Sequence, residues 1–220
     1  TTFAYALSDA LGRPIARIPF GGMGSARDLR GQSRLHLESE PGSIIKALAQ
    51  TGVKNPIILL DEIDRVTAEA RADIMGVLVE LLDPGQNYAF LDHYIDYPID
   101  LSEVLFIATG NNTTNIATAV LDRLEPIRMP SYTDEEKLHI AKEFILPGVL
   151  EESGLAPGTI TIDESLWPTI IRPLGYDAGL RTLRRTIEGV ARKTARLLVS
   201  GQVQSVNLTA DNIKDFLPKW

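Results

Sequence analysis

The sequence has no cysteine. Disulfides, thiolate catalysis and Cys-ligated zinc are therefore excluded. Its three histidines, His36, His93 and His139, stand at none of the spacings that build a metal site. Aromatic residues make up only 6%. An excess of positive charge is also missing: 22 Lys and Arg stand against 29 Asp and Glu, a net charge of −7. That balance weighs against nucleic-acid binding over the whole surface and leaves only a local basic face. Long apolar runs are absent too. The uncharged stretch from Val104 to Leu121 turns to Asn, Thr and Gly in its second half, which excludes a membrane-spanning helix there. The opening residues carry no secretory pattern. Thr1 enters a helical pattern directly, with Phe3, Leu7 and Leu11 on one helix face, so further residues are expected upstream. These features point to a reducing compartment, the cytoplasm or an organelle matrix, and to no membrane.

What is present is a globular composition. The 220 residues are 44% hydrophobic and 23% charged, enough for one large domain or two small ones without staples. "RPIARIPF" predicts a short strand, "GGMGSARDLRGQSR" a Gly-rich polar loop, and Pro41 to Gln50 a helix. The unbroken apolar run Ile57 to Leu60 predicts a strand covered on both faces, as in parallel sheets. Ala70 to Leu82 reads as a helix with Ile74, Leu78, Leu81 and Leu82 on one side. "YAFLDHYIDYPIDL" reads as irregular or hairpin-like, "EVLFIATG" as a second apolar strand, Ala119 to Leu124 as a short helix and "EPIRMP" as a third short strand. Strands alternating with helices predict an α/β layer. The character changes near Ser131. Thr133 with Glu136 three residues later predicts a capping box, opening a helix with Leu138, Ile140, Ala141, Phe144, Ile145 and Leu150 on its apolar face. "TITID" predicts a strand, "ESLWPTIIRPLG" a helix broken by two prolines, and "AGLRTLRRTIEGVARKTARLLVSG" a long amphipathic helix before a last strand and helix. The expected units are residues 1–130 and 131–220.

Four motifs carry chemistry. "IILLDEID" ends an apolar strand in two adjacent carboxylates, at the strand end where open α/β sheets bind ligands. In the Walker B pattern the first acid, Asp61, holds the Mg²⁺ shell, and the second, Glu62, orients and deprotonates a water. Alternation along the strand sends the two in different directions. In "LFIATGNN" a second apolar strand ends in polar residues, and Asn111 can donate to a γ-phosphate or hold that water. Arg123 in "LDRLE" can reach a neighbouring subunit's nucleotide, or simply pair with Asp122 or Glu125. Arg181 opens a helix whose N-terminus also favours phosphate, although Arg184, Arg185, Arg192 and Arg196 continue a face that reads equally well as solvated. That face is the one candidate for DNA binding. No GxxxxGK[ST] loop and no supported Ser/His/Asp set occurs.

The order and spacing of "GRPIARIPFGGMGSARDLRGQSR", "PGSIIKAL", "GVKNPIILLDEID", "LLDPGQNYAFLDHY", "DLSEVLFIATGN", "LDRLEPIRMPSYTDEEKLHIAKEFILP" and "AGLRTLRR" resemble the AAA+ ATPase module of the Lon protease family over nearly the whole chain. The resemblance implies a P-loop NTPase-type parallel sheet with helices on both faces, followed by a small, mainly helical subdomain. It implies ATP or ADP and Mg²⁺ as cofactors. Asp61 and Glu62 match the Walker B pair, Asn111 sensor 1, Arg123 the arginine finger and Arg181 the sensor 2 arginine. Thr1 or Thr2 matches the end of the phosphate loop, whose lysine is absent, and Tyr132 falls beside the nucleotide. The expected function is an ATP-driven unfoldase motor coupled to a serine protease, assembled as a ring, most simply a hexamer, acting on unfolded or damaged proteins. A degenerate module that binds ADP or assembles without hydrolysis is the alternative. The family's first pore loop carries an aromatic–aliphatic–Gly set; here those positions read His36, Leu37 and Glu38. From the sequence, Arg181→Ala should weaken the nucleotide response of the ATPase more than Arg196→Ala, as measured by the ATP concentration giving half-maximal turnover. Equal effects would mark the helix as a plain solvated face.

Overall fold

A computed structural model of the protein describes residues 1–172 and 179–217. The chain divides into two units, Thr1–Ile127 and Arg128–Trp220. In chain order the first unit contains α1 (Thr2–Leu11), β1 (Ile15–Pro19), α2 (Arg27–Arg30), α3 (Ser43–Thr51), β2 (Ile57–Asp61), α4 (Arg71–Leu81), β3 (Phe90–Asp92), β4 (Tyr97–Ile99), β5 (Leu105–Ala108) and α5 (Thr118–Leu121). A strand without a polar side cannot face water, and β2 takes the one position that satisfies this: it is the middle strand of a parallel sheet of order β1-β2-β5. Ile57, Ile58, Leu59 and Leu60 are all 0% exposed. Ile58 and Leu60 join a core with Ile44 of α3 and Ile74 and Leu78 of α4. Alternation points Ile57 and Leu59 to the opposite face, where they are buried equally well. The register pairs Pro19 with Asp61 and Leu60 with Ala108, so three strand ends meet at one edge. β3 and β4 form a separate antiparallel hairpin.

Several details differ from the sequence reading. "EPIRMP" forms no strand. Pro126 and Pro130 supply no N–H to a ladder, and Ile127 and Met129 are both 71% exposed. The Gly-rich loop contains the short helix α2, which buries Leu29. On α1 the buried residues are Ala4 and Ser8, while Phe3 and Leu11 are exposed. Small side chains let that helix sit close, and its bulkier face turns outward. β5 is the outer strand of the sheet, and its four residues are only half-buried.

The second unit contains α6 (Asp134–Ile140), a π turn (Ala141–Ile145), α7 (Leu146–Glu152), β6 (Ile160–Ile162), α8 (Trp167–Ile171), α9 (Arg181–Val199), β7 (Val206–Leu208) and α10 (Ile213–Phe216). Its core gathers Val149, Trp167, Ile170, Ile187, Val190 and Leu208. β6 and β7 pair in parallel. Pro168 sits in the first turn of α8, where a missing N–H is harmless. The second proline expected to break that helix, Pro173, lies outside the described residues. The π turn resets the phase of the apolar stripe, so Phe144, expected inside, is 67% exposed.

The capping box is present in full: Glu136 N donates to Thr133 Oγ1 over 3.2 Å, and Thr133 N donates to Glu136 Oε2 over 2.8 Å. Thr133→Ala removes one of these reciprocal bonds and should lower stability by about 1 kcal/mol. Urea unfolding followed by circular dichroism checks it; a loss near zero would mean that the cap does not hold α6.

Candidate functional site

The site is built where β1, β2 and β5 end. Asp61, the last residue of β2, is 4% exposed. A buried carboxylate requires partners for its lone pairs, and Asp61 draws them from three elements. Thr109 Oγ1, just past β5, donates to Oδ1 over 2.6 Å. Thr1 Oγ1, at the head of α1, donates to the same oxygen over 3.1 Å. Arg17 of β1 forks onto Oδ2 through Nε at 2.7 Å and Nη2 at 2.6 Å. Burial is the largest single influence on Asp61 and pushes its pKa up. The hydrogen bonds from Thr109, Arg17 and Thr1, with the Arg17 charge, together outweigh it and hold the carboxyl below the usual aspartate value. A depressed folded-state pKa gives stability that is fully present above the unfolded-state value and lost as pH falls through the folded one. The ionised Asp61 therefore stabilises the fold at neutral pH, and this contribution is lost as pH falls below the usual aspartate range.

Glu62 follows in a left-handed conformation, φ 60°, which a non-glycine residue adopts only when its surroundings enforce it. The enforcing contact is visible. The Glu62 N–H donates to Thr109 Oγ1 over 2.9 Å, so one hydroxyl accepts from the Glu62 backbone while donating to Asp61. The turn swings the Glu62 side chain away from the buried Asp61 and leaves it 39% exposed, with Arg65 Nη1 at 3.5 Å from Oε1. Asn111 stands exposed on the loop after β5. Asp64, buried at 7% exposure, anchors that loop by accepting from the N–H groups of Asn111 and Asn112 over 3.2 and 3.1 Å. Its Oδ1 has no hydrogen-bond partner among the described residues.

Thr1, Asp61, Glu62 and the Asn111 loop thus converge on one sheet edge. Arg123 lies just past α5, and its partner is neither Asp122 nor Glu125 but Asp83, which follows α4, at 2.9 Å, with a second bond from Nη1 to Ala119 O over 2.8 Å. The Arg123 hydrogen bond is the first cause that holds Asp83 below the usual aspartate value, ahead of the Gly85 N–H and Gln86. His36 and Leu37 sit on the loop between α2 and α3, with Leu37 fully exposed. Tyr132 and Arg181 belong to the second unit, Tyr132 before α6 and Arg181 in the first turn of α9; both are exposed. On the same helix Arg184 is held by Glu152 at 2.6 Å and Glu188 at 2.9 Å, with Glu152 the leading cause of its raised pKa. These bonds neutralise part of the basic face that made DNA binding a candidate.

Sequence reasoning missed Arg17, Asp64 and Thr109. Arg17 left a signal, a lone cation in the apolar strand "IARIP", and Asp64 completes "DEID". Nothing local marks Thr109 as a bridge, because its partners lie 47 and 48 residues away. Among the described residues no cluster of three or more His, Asp or Glu forms a metal cage. Mg²⁺ does not need one: it keeps several waters and takes one or two protein oxygens beside phosphate. Asp61 and the neighbouring Thr1 hydroxyl offer oxygens of that kind, but Arg17 holds Oδ2 while Thr1 and Thr109 hold Oδ1, so Mg²⁺ fits once one of these donors gives way.

A parallel sheet carrying two acids and an asparagine loop at the ends of its strands is the kind of edge at which open α/β proteins bind ligands. Comparison with known proteins shows the family. Residues 1–132 match the family model "ATPase family associated with various cellular activities (AAA)", and residues 151–206 match "Lon protease AAA+ ATPase lid domain". The chain is 42% identical over 217 residues to the Lon protease of Lawsonia intracellularis, covering 99% of this chain and 26% of that protein. It is 41% identical to Lon protease 2 of Thermus thermophilus, 99% of this chain and 27% of that protein, and 41% identical to the Lon protease of Escherichia coli K12, 99% and 28%. The chain spans about a quarter of the length of these curated relatives. It belongs to the AAA ATPase family and carries the AAA+ module of the Lon type.

The bridging role of Thr109 is open to a direct test. Thr109→Val removes the hydroxyl at nearly constant volume, leaving the Glu62 N–H without its acceptor and Asp61 without one of its two shortest donors. It should lower stability by about 1–3 kcal/mol, and Thr109→Ser should recover most of the loss in thermal unfolding. A loss in Thr109→Ser with none in Thr109→Val would assign the effect to packing of the methyl group instead.

Proposed function

We propose that this chain is the ATPase motor module of a Lon-like ATP-dependent protease. The observation that carries the reading is the Thr109 bridge, which fixes the Asp61 carboxylate and the Glu62 backbone in different directions from one atom. Two adjacent acids thereby take two roles. Asp61, with the Thr1 hydroxyl beside it, is the group to hold Mg²⁺; when bound, the ion offsets charge on the nucleotide phosphates. Glu62, outside the buried cradle, orients the attacking water and accepts its proton. Asn111 donates an amide N–H to the γ-phosphate or the water, and Asp64 holds it in place. Arg123 serves a neighbouring subunit's nucleotide in a ring, most simply a hexamer, once it leaves Asp83. Arg181 and Tyr132 respond to the nucleotide from the helical unit. His36 and Leu37 contact unfolded or damaged protein, and hydrolysis is coupled to its unfolding and translocation toward a serine protease domain.

Among the described residues no helix is long and apolar enough to cross a membrane, and the reading places the protein in the cytoplasm or an organelle matrix. A second reading, a module that binds ADP or assembles without hydrolysis, is favoured by one observation: Arg17 already occupies Asp61 Oδ2. In the full-length protein, Glu62→Gln should retain ATP binding and lose turnover by about 10²–10⁴-fold, the usual contribution of a general base. Unchanged turnover removes Glu62 from this role. Absence of turnover in the unsubstituted protein, with ADP bound, supports the second reading.

A further inference from the structure

Asp92, at the end of β3, is 0% exposed. It takes no part in the sheet-edge site. Every hydrogen bond to its carboxylate comes from the backbone of a loop. Oδ1 accepts from Tyr94 N over 2.9 Å and Ile95 N over 3.0 Å, which closes the hairpin turn between β3 and β4. Oδ2 accepts from Gly42 N over 2.8 Å, in the other loop, the one that carries His36 and Leu37.

That second loop has a narrow neck. Gln32 N donates to Glu40 O over 3.1 Å across it. A Cβ on Gly42 would stand 2.0 Å from Leu29 O, and one on Gly31, at φ 73°, would stand 2.7 Å from Gly42 N and 3.0 Å from Asp92 Oδ1. Only glycine fits at either position. Beyond the neck the tip projects, with Leu35 94% and Leu37 106% exposed. Two further ties run between the loops on the outside. The Arg34 guanidinium lies 4.7 Å from the centre of the Tyr94 ring, and Arg34 Nε donates to Tyr94 O over 2.9 Å. His93 N donates to Arg30 O over 2.7 Å at the end of α2.

The geometry points to Asp92 as a positioning residue that joins the 31–42 loop and the 93–96 turn into one body, which presents Leu35, Leu37 and the hairpin together to an extended, unfolded polypeptide. This rests on the reading of His36 and Leu37 as substrate-contacting residues. The physical benefit is preorganisation. An apolar tip on a free loop loses its freedom when it grips a chain, and a tip already tied at its neck loses less. A single buried carboxylate suits this task because its two oxygens accept from different loops at once. A neutral amide does not. In Asp92→Asn the carbonyl oxygen can still serve the Tyr94 and Ile95 N–H groups, but the NH₂ then faces the Gly42 N–H, donor against donor. The substitution keeps the hairpin turn and cuts the tie to the neck.

The absence of cysteine makes the test clean. Leu37→Cys and Tyr97→Cys place spin labels at two exposed positions, one on the 31–42 loop and one at the start of β4 directly after the 93–96 turn, in the full chain. Pulsed electron resonance should give one narrow distance distribution in the parent and a broadened one in Asp92→Asn, with the far-ultraviolet circular dichroism unchanged. An equally narrow distribution in Asp92→Asn overturns the proposal. If Asp92→Asn does not fold, Arg34→Ala cuts an outer tie without burying anything, and should broaden the same distribution; no change there also overturns it. The second readout is binding of reduced, carboxymethylated lactalbumin, a permanently unfolded polypeptide. Asp92→Asn should weaken it by about tenfold, the scale of lost preorganisation, as should Leu37→Glu. Broadening with unweakened binding in Asp92→Asn, while Leu37→Glu weakens it, overturns the positioning role. Binding that Leu37→Glu leaves intact overturns the polypeptide reading itself, whatever the distances show.

Discussion

The Asp61 carboxylate is the constraint on which the first unit is arranged. A charge 4% exposed at the end of an otherwise apolar strand is tolerable only with strong, well-placed donors. Supplying them fixes the head of α1 through Thr1, the cation on β1 through Arg17 and the end of β5 through Thr109. Each donor comes from a different element, so the carboxylate sets the relative placement of all three. Glu62 inherits its unusual backbone from the same knot, since its N–H ends on the Thr109 hydroxyl. The bonds that make burial of Asp61 tolerable also keep it ionised, and this ionised acid beside an outward-turned second acid is the arrangement on which the proposed nucleotide hydrolysis rests.

The pattern recurs. Asp64 and Asp92 are also buried, at 7% and 0% exposure, and both accept from backbone N–H groups of loops, Asp64 through Oδ2 and Asp92 through both oxygens. Asp64 holds the Asn111 loop; Asp92 holds the neck at Gly42 and the hairpin turn. A chain without cysteine cannot pin its loops covalently. It pins them with buried carboxylates, which accept several directional bonds at one point. Such pins are strong while complete and costly when one donor is lost. They also leave the tips between them exposed, as at Leu35 and Leu37.

Much of this was legible in the sequence, and the reasons are local. The buried run at β2, the acidic pair at its end, the capping box at Thr133 and the stripe on α9 each arise from residues close in sequence, where periodicity and capping rules apply. The errors have physical causes as well. "EPIRMP" has strand composition, yet its prolines cannot donate and nothing covers Ile127 and Met129. The Phe3–Leu7–Leu11 spacing does mark the helix α1, but the small residues Ala4 and Ser8 are the ones that pack. A π turn, invisible to a fixed helical period, moved Phe144 outside. The site was legible as a set of acids and arginines, not as a network. Arg17, Asp83 and Thr109 matter through partners 40 or more residues away, and one-dimensional spacing carries no record of those contacts.

The central claim is that Asp61, although buried, is a charged hub held by donors from three elements. A carbon-13 titration of the Asp61 side-chain carboxyl, assigned by comparison with Asp61→Asn, tests it most directly. The transition is expected below the usual aspartate range, moving upward in Arg17→Leu and again in Thr109→Val. A transition at or above the usual value in the unsubstituted protein, unmoved by either substitution, would mean that burial dominates and that the network does not hold the charge.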